Sequence, residues 1–288
     1  LLLLDTAARA ALSDSSILIH AETGTGKELV ARAIHFNSRR RDKPFVTINC
    51  SAIPRELLES ELFGHVRGSF TGAVAHKVGK VEMAHRGTLF LDEIGEMPVE
   101  LQVKVLRLIQ QGELEKVGAT SPTKVDVRFV AATHRNLRAM IEDGTFREDL
   151  YYRLAVIPLE LPPLRDRAED IPELVQHFFL NVREKQGRPD LVLSPALLPR
   201  FQDYRWPGNI RELENVIERI VVLARGTQIT LSDLPDFLRR ERPAVDMLQL
   251  ELPARGISLE SVEKELITRA LERFGGNQTH AARYLDIS

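Results

Sequence analysis

Thr23-Gly24-Thr25-Gly26-Lys27 follows a short apolar run, Ile17 to Ile19, and precedes a helix-forming segment. A strand, a glycine-rich loop and a helix in that order are what a phosphate-binding loop requires. Gly24 and Gly26 let successive N–H groups turn towards one anion, and the helix from near Lys27 adds its positive end. The Lys27 ammonium then reaches the β- and γ-phosphates of a nucleotide. Two positions depart from the general loop: Ala21 stands where glycine opens it, and Glu28 where serine or threonine follows the lysine. A tight turn carrying a surface lysine is the competing reading.

A second chemical feature is Thr88-Leu-Phe-Leu-Asp-Glu93, an apolar run ending in two carboxylates. In open α/β sheets ligands sit at the carboxyl ends of strands, which places Asp92 and Glu93 opposite the loop. Asp92 is then suited to hold Mg²⁺ and Glu93 to orient and polarise an attacking water. Alone, the pair also fits the charge bias of a helix start. Thr133, His134 and Asn136 close another apolar run, where they either read a γ-phosphate or cap the strand end. Arg147 and Arg153 flank Asp149, Tyr151 and Tyr152. Gly64 to Ala73 holds three glycines in ten residues, with Phe70 where no pattern buries it, as readily a contact device as a plain loop.

The elements that must carry these groups follow from periodicity. Strands are expected at 17–19, 45–48, 88–93, 125–133 and 156–159, alternating with helices from Ala7, after Lys27, at 54–63 and from Met97 to Gly112. Five strands alternating with helices make a mainly parallel α/β sheet. Pro158, Pro162 and Pro163 mark a boundary, beyond which 171–182, 195–201 and 210–223 read as helices. Trp206-Pro207-Gly208-Asn209 is a turn that stops one helix and caps the next, with Trp206 in the core. Residues 239–257 lack periodicity and suit a linker. Ser258 to Phe274, a glycine turn at 275–277 and a short helix at 279–285 begin a helix-turn-helix or, equally, a dimerising hairpin.

Composition excludes several classes. The 288 residues are 43% hydrophobic and 28% charged, an ordinary mixture for a sizeable core. A formal charge of -2 draws the chain in bulk to neither DNA nor acidic membranes. One cysteine, Cys50, allows no intrachain disulfide and no multi-cysteine metal site, so a cytoplasmic setting is expected. Leu1 to Leu4 are too few for a membrane span. Both ends are expected to be cut, the last residues stopping where a groove-reading helix would begin.

With Glu61-Leu-Phe-Gly-His65 and Gly68-Ser69-Phe70-Thr71-Gly72-Ala73 in hand, the sequence resembles the bacterial enhancer-binding proteins, the NtrC-like AAA+ activators of sigma-54 RNA polymerase. The resemblance runs from about Asp14 to Ser288. It implies that the loop at 68–73, nearly the family's GAFTGA, contacts sigma-54, with Ser69 for Ala a tolerated change. It implies a GESGTGKE-type loop over Ala21, Glu22, Thr23, Gly24, Thr25, Gly26, Lys27 and Glu28, which makes Glu28 regular and leaves Ala21 as a departure. If Ala21 needs positive φ, it weakens nucleotide binding; if not, it costs little. Ala84 to Glu93 matches the second nucleotide-binding segment. Asn49 resembles the switch residue that holds the catalytic Glu93. Thr133 and Asn136 lie in the sensor I segment, Arg147 and Arg153 match arginine fingers supplied by a neighbouring subunit, and Arg211 matches sensor II.

The fold implied is an AAA+ P-loop NTPase with a parallel five-stranded sheet at 1–160. A helical lid is expected at 161–238, a linker at 239–257 and a truncated helix-turn-helix at 258–288. The function implied is a Mg²⁺-dependent ATPase that assembles as a hexamer or heptamer, remodels the sigma-54 polymerase closed complex and binds enhancer DNA through its completed C-terminal domain. An upstream regulatory domain is expected. The rivals are a nucleotide-responsive DNA-binding regulator without productive hydrolysis, favoured only by Ala21, and an AAA+ unfoldase or loader.

Overall fold

The computed structural model of the protein describes residues 2–70, 72–239 and 258–285. Thr71, the expected linker beyond Arg239 and the expected helix start at Ser288 lie outside these residues. The chain divides into two compact units, Leu1–Arg239 and Arg240–Ser288.

In the first unit, β1 (Ile17–His20), β2 (Phe45–Asn49), β3 (Thr88–Asp92), β4 (Arg128–Thr133) and β5 (Ile157–Glu160) form one sheet in the order β2-β3-β4-β1-β5. Every pairing in it is parallel. Successive residues of a strand face opposite ways. Leu18, Leu89, Leu91 and Phe129 therefore pack with Leu101, Val105 and Leu150 on one face. Ile17, Ile19, Phe90 and Val130 pack with Ala31 and Ile34 on the other. Burial on both faces is why these strands read as continuous apolar runs rather than alternating ones. The fold class matches the sequence reading.

β4 begins three residues later than expected. Val125 instead donates its N–H to the Gly112 carbonyl, closing a small hairpin in which Glu113–Leu114 pairs with Thr123–Lys124. Arg128, which opens β4, is 1% exposed, and nothing in the sequence marks it. Its guanidinium donates to the carbonyls of Ala10 (2.6 Å) and Ala11 (3.1 Å), the last residues of the helix Leu2–Ala11. The negative end of that helix thus accommodates a buried cation, with the charge of Asp14 near it but no carboxylate in direct contact among the described residues.

Residues 164–239 build their own core from Ile171, Val175, Phe179, Phe201, Leu213 and Ile217, carried by the helices Ile171–Lys185, Leu198–Asp203 and Asn209–Leu223. Trp206 is fully buried, its indole N–H donated to the Phe201 carbonyl (2.7 Å), as its core assignment requires. The second unit holds the helices Leu259–Arg273 and Gln278–Leu285, joined through Gly275 and Gly276, both with positive φ. Phe274 meets Tyr284 edge-on, and Asn277 caps the second helix by accepting the His280 N–H.

Candidate functional site

Parallel order sends the carboxyl ends of β1, β2, β3 and β4 to one edge of the sheet, and the chemistry-bearing residues collect there. The loop after β1 curls as its glycines permit, with φ +80° at Gly24 and +98° at Gly26. Gly24 has a second constraint, since a Cβ there would collide with the carbonyl oxygen of Gly208. Gly26 then starts the helix Lys27–Phe36, whose free N–H groups point into a cavity of about 430 Å³. Thr23, Gly24, Gly26, Lys27, Glu28, Asn49, Asp92, Glu93, His134 and Arg211 all line it. Such a cavity, with a lysine and helix N–H groups at its floor, fits a polyphosphate.

Glu93 leaves β3 in the left-handed region, φ 52°, which costs a non-glycine residue about 1 kcal/mol or more and swings its side chain back over the loop. Its carboxylate accepts from Lys27 Nζ (2.7 Å) on one oxygen and pairs with His134 Nδ1 (2.7 Å) on the other. Burial works to raise the Glu93 carboxyl, but the hydrogen bonds and charges of Lys27 and His134 outweigh it and hold it below the ordinary range. Asp92 moves the opposite way: burial first, then the charge of Glu93, pushes its carboxyl up. Two adjacent carboxylates are thereby separated, one firmly ionised and one that a cation would relieve. Among the described residues no group of three or more His, Cys, Asp or Glu could hold a metal alone. A cation at Asp92 must therefore take further oxygens from a ligand or water, as Mg²⁺ does with nucleotide phosphates.

The structure places the remaining sequence candidates unevenly. Asn49 lies beside Asp92 in the β2–β3 register and donates to its Oδ2 (3.1 Å), while Lys27 and His134 hold Glu93. Thr133 is buried at the end of β4 and accepts the Arg135 N–H (3.1 Å). Asn136 caps the helix Leu137–Glu142 by accepting from Arg138 and Ala139. Both border a second cavity, beside Leu18 and Leu159, rather than the first. Arg153 is exposed and Arg147 half-buried, and neither lines the nucleotide-sized cavity of its own chain. Arg147 forks onto Asp149 (2.7 and 3.1 Å). Arg153 has no ion pair among the described residues.

The contacts of two residues escaped the sequence reading. His134, with Thr133 and Asn136, reads in sequence as a contact to a γ-phosphate or a cap of the strand end, and its contact with Glu93 needs two strands in register to exist. Asn209, read as part of a helix cap, caps nothing with its side chain, and Gly208 is the N-cap. It reaches across instead, donating to Glu22 Oε2 (3.1 Å) and the Thr23 carbonyl (3.1 Å) and accepting the Leu164 N–H (2.8 Å). Arg165 forks onto the same Glu22 (2.7 and 2.9 Å), and with Asn209 second it draws that carboxyl down to about 2.

The loop at 68–73 is closed by Gly68 N–H to the Ala73 carbonyl (2.8 Å) and Ala73 N–H to the Phe70 carbonyl (3.0 Å). Gly68 and Gly72 have positive φ with open space around them. Phe70 is 41% exposed and meets His65 edge-on (5.0 Å), so one ring face is covered where the sequence suggested none. Ser69 packs under Gly118, its hydroxyl buried without a partner among the described residues.

Ala21 is 3% exposed and packs in the apolar cluster below the loop. Positive φ among described non-glycine residues occurs only at Arg86, Glu93, Trp206 and Asn209, so Ala21 sits in ordinary backbone. Ala21→Gly is expected to change ATP affinity less than about twofold and to lower stability by about 0.4–1 kcal/mol through the unfolded chain. Urea melts and nucleotide titration check this. A tenfold gain in affinity on adding glycine would show that Ala21 does impair the loop.

Comparison with known proteins fits this geometry. Residues 2–160 match the family model "Sigma-54 interaction domain", 165–249 "AAA+ ATPase lid domain", and 258–288 "Bacterial regulatory protein, Fis family". The chain is 49% identical over 286 residues to Regulatory protein AtoC of Escherichia coli, covering 98% of this chain and 62% of that protein. It is 46% identical over 303 residues to the DNA-binding transcriptional regulator NtrC of Azospirillum brasilense, covering 96% and 63%. The chain thus spans a little under two thirds of such relatives. The crystal structure of NtrX from Brucella abortus in complex with ATP superimposes with a TM-score of 0.75 at 40% identity, covering 100% of this chain and 64% of that one.

Proposed function

The chain belongs to the NtrC-like, sigma-54-activating AAA+ family, and from that premise we propose that it hydrolyses ATP to remodel the sigma-54 polymerase closed complex. The observation that carries the reading is the convergence of Lys27, Asp92 and Glu93 on one cavity at the edge of a parallel sheet, with the glycine-bounded loop at Gly68 projecting elsewhere.

Lys27 and the N–H groups of the helix Lys27–Phe36 bind the phosphates, and Asp92 would hold Mg²⁺, which would supply charge neutralisation to them. Glu93 is ionised and, once the phosphates draw Lys27 away, is free to accept a proton from an attacking water. His134 and Asn49 orient the two carboxylates. Arg211 reaches the phosphates from the lid, while Thr133 and Asn136 hold the end of β4 in place. Arg147 and Arg153 face outward because they serve the cavity of a neighbouring subunit, which makes activity depend on a ring of six or seven copies. The helices after 258 belong to an enhancer-binding domain, and the working place is the cytoplasm. The boundaries at 160, 238 and 257 separate nucleotide-binding, lid, linker and DNA-binding parts.

The reading without productive hydrolysis rested on Ala21. The ordinary φ of that residue removes its support.

The loop at 68–73 is the output. Thr71→Ala is expected to leave ATPase near wild type and to abolish transcription from a sigma-54 promoter in a purified system. Equal loss of both activities would make the loop a structural part of the ATPase and end this mechanism.

A further inference from the structure

The phosphate loop is gripped from behind by the lid. Asn209 touches three groups on two segments at once: the Leu164 N–H, the Glu22 carboxylate and the Thr23 carbonyl. It is fully buried, and its φ of 53° is a conformation that asparagine tolerates better than most residues. Around it, Arg165 forks onto Glu22, Arg167 donates to the Thr25 carbonyl (3.1 Å), and the Arg211 N–H donates to the Gly24 carbonyl (3.3 Å). Gly24 and Gly208 approach so closely that a Cβ at 24 would collide with the Gly208 carbonyl oxygen.

Glu22, Asn209 and Arg165 do not line the cavity. They bind the outer, carbonyl side of the loop. A backbone whose carbonyls are held outward presents its N–H groups inward, towards the anion. The same grip fixes the start of the helix Asn209–Leu223, from which Arg211 enters the cavity.

We propose that Asn209, Glu22 and Arg165 are positioning residues that pre-form the phosphate loop and tie its geometry to the position of the lid. The loop's shape is then a property of two subdomains together. Nucleotide that favours the closed loop favours the docked lid by the same factor, because such coupling is reciprocal. The inference rests on ATP being the ligand of the cavity.

The test is binding of ATP and ADP to the whole chain, with steady-state ATPase alongside. Arg165 is part exposed, and Arg165→Ala is expected to weaken both nucleotides about threefold, the scale of a half-exposed ion pair. Asn209→Asp keeps the shape but loses the donors and sets a second carboxylate beside Glu22, so a loss of about tenfold or more is expected. KM should rise while kcat changes little. The double change Glu22→Ala with Arg165→Ala should be no worse than the weaker single variant. Glu22→Gln, which still accepts from Asn209, should recover part of the loss of Glu22→Ala.

A merely structural network predicts otherwise: lower melting temperatures with unchanged nucleotide affinity in every variant that folds. That result overturns the proposal, and Arg165→Ala and Glu22→Gln can deliver it even if Asn209→Asp does not fold. If the wild-type chain itself binds neither ATP nor ADP, the fault lies in the ATP reading instead.

Discussion

Replacing Glu93 by Gln is expected to leave ATP bound and to cut turnover by about a hundredfold or more, the contribution of a positioned general base. The amide keeps the shape, so Lys27 Nζ retains an acceptor at the 2.7 Å site and the left-handed turn is no worse strained. What is lost is basicity. Lys27 is at present shared between Glu93 and the Ala21 carbonyl, and phosphates must compete for it. Removing the Glu93 charge loosens that competitor, so ATP is expected to bind as tightly as before or a few-fold tighter. Single-turnover hydrolysis beside equilibrium binding separates the two effects. Turnover above about a tenth of wild type would take Glu93 out of the base role.

The part of this site legible in sequence was the part carried by local backbone rules. Gly24, Gly26 and Lys27 lie within five residues, and Asp92 and Glu93 end one apolar run, so strand-loop-helix order and parallel topology were enough to bring them together. The sheet was legible for the same reason, since strands buried on both faces write themselves as unbroken apolar runs. What escaped was contact between distant segments. His134 meets Glu93 across two strands, Asn209 meets Glu22 across more than 180 residues, and Arg128 reaches back to Ala10 and Ala11. None of these residues has a local signature: an asparagine after Pro-Gly reads as a cap, and an arginine opening a strand reads as surface. Asn136 shows the reverse case, a residue to which the family resemblance gives a nucleotide role while its carboxamide performs ordinary capping. The loop at 68–73 was legible as exposed, and the part-cover of Phe70 by His65 was not, because it depends on a two-residue ribbon pairing 64–65 with 77–78.

Arg147→Ala and Arg153→Ala are each expected to lower kcat by about a thousandfold if the residue is the arginine finger, with ATP binding far less affected. The reason is positional. Arg147 and Arg153 stand beside and on the helix Glu148–Leu154, half-buried and exposed in turn, and neither lines the cavity of its own chain, so any action on the transferred phosphoryl has to come from a second copy. Charge on the phosphoryl oxygens rises in the transition state, which is why the loss falls on kcat rather than on binding. Among the described residues Arg153 has no ion pair and is ready to insert, whereas Arg147 must first give up Asp149, so the larger loss is expected at Arg153. Mixing provides the decisive form of the experiment. An Arg153→Ala subunit keeps an intact Glu93, and a Glu93→Gln subunit keeps an intact arginine. In a ring of head-to-tail contacts, equal mixing leaves about a quarter of the interfaces with both wild-type groups, so activity should reappear from two inactive proteins. If the arginine acts within its own chain, every cavity in the mixture lacks one group or the other, and no activity returns at any ratio. The wild-type rate per subunit should likewise climb steeply with protein concentration, since sites completed between copies exist only after assembly.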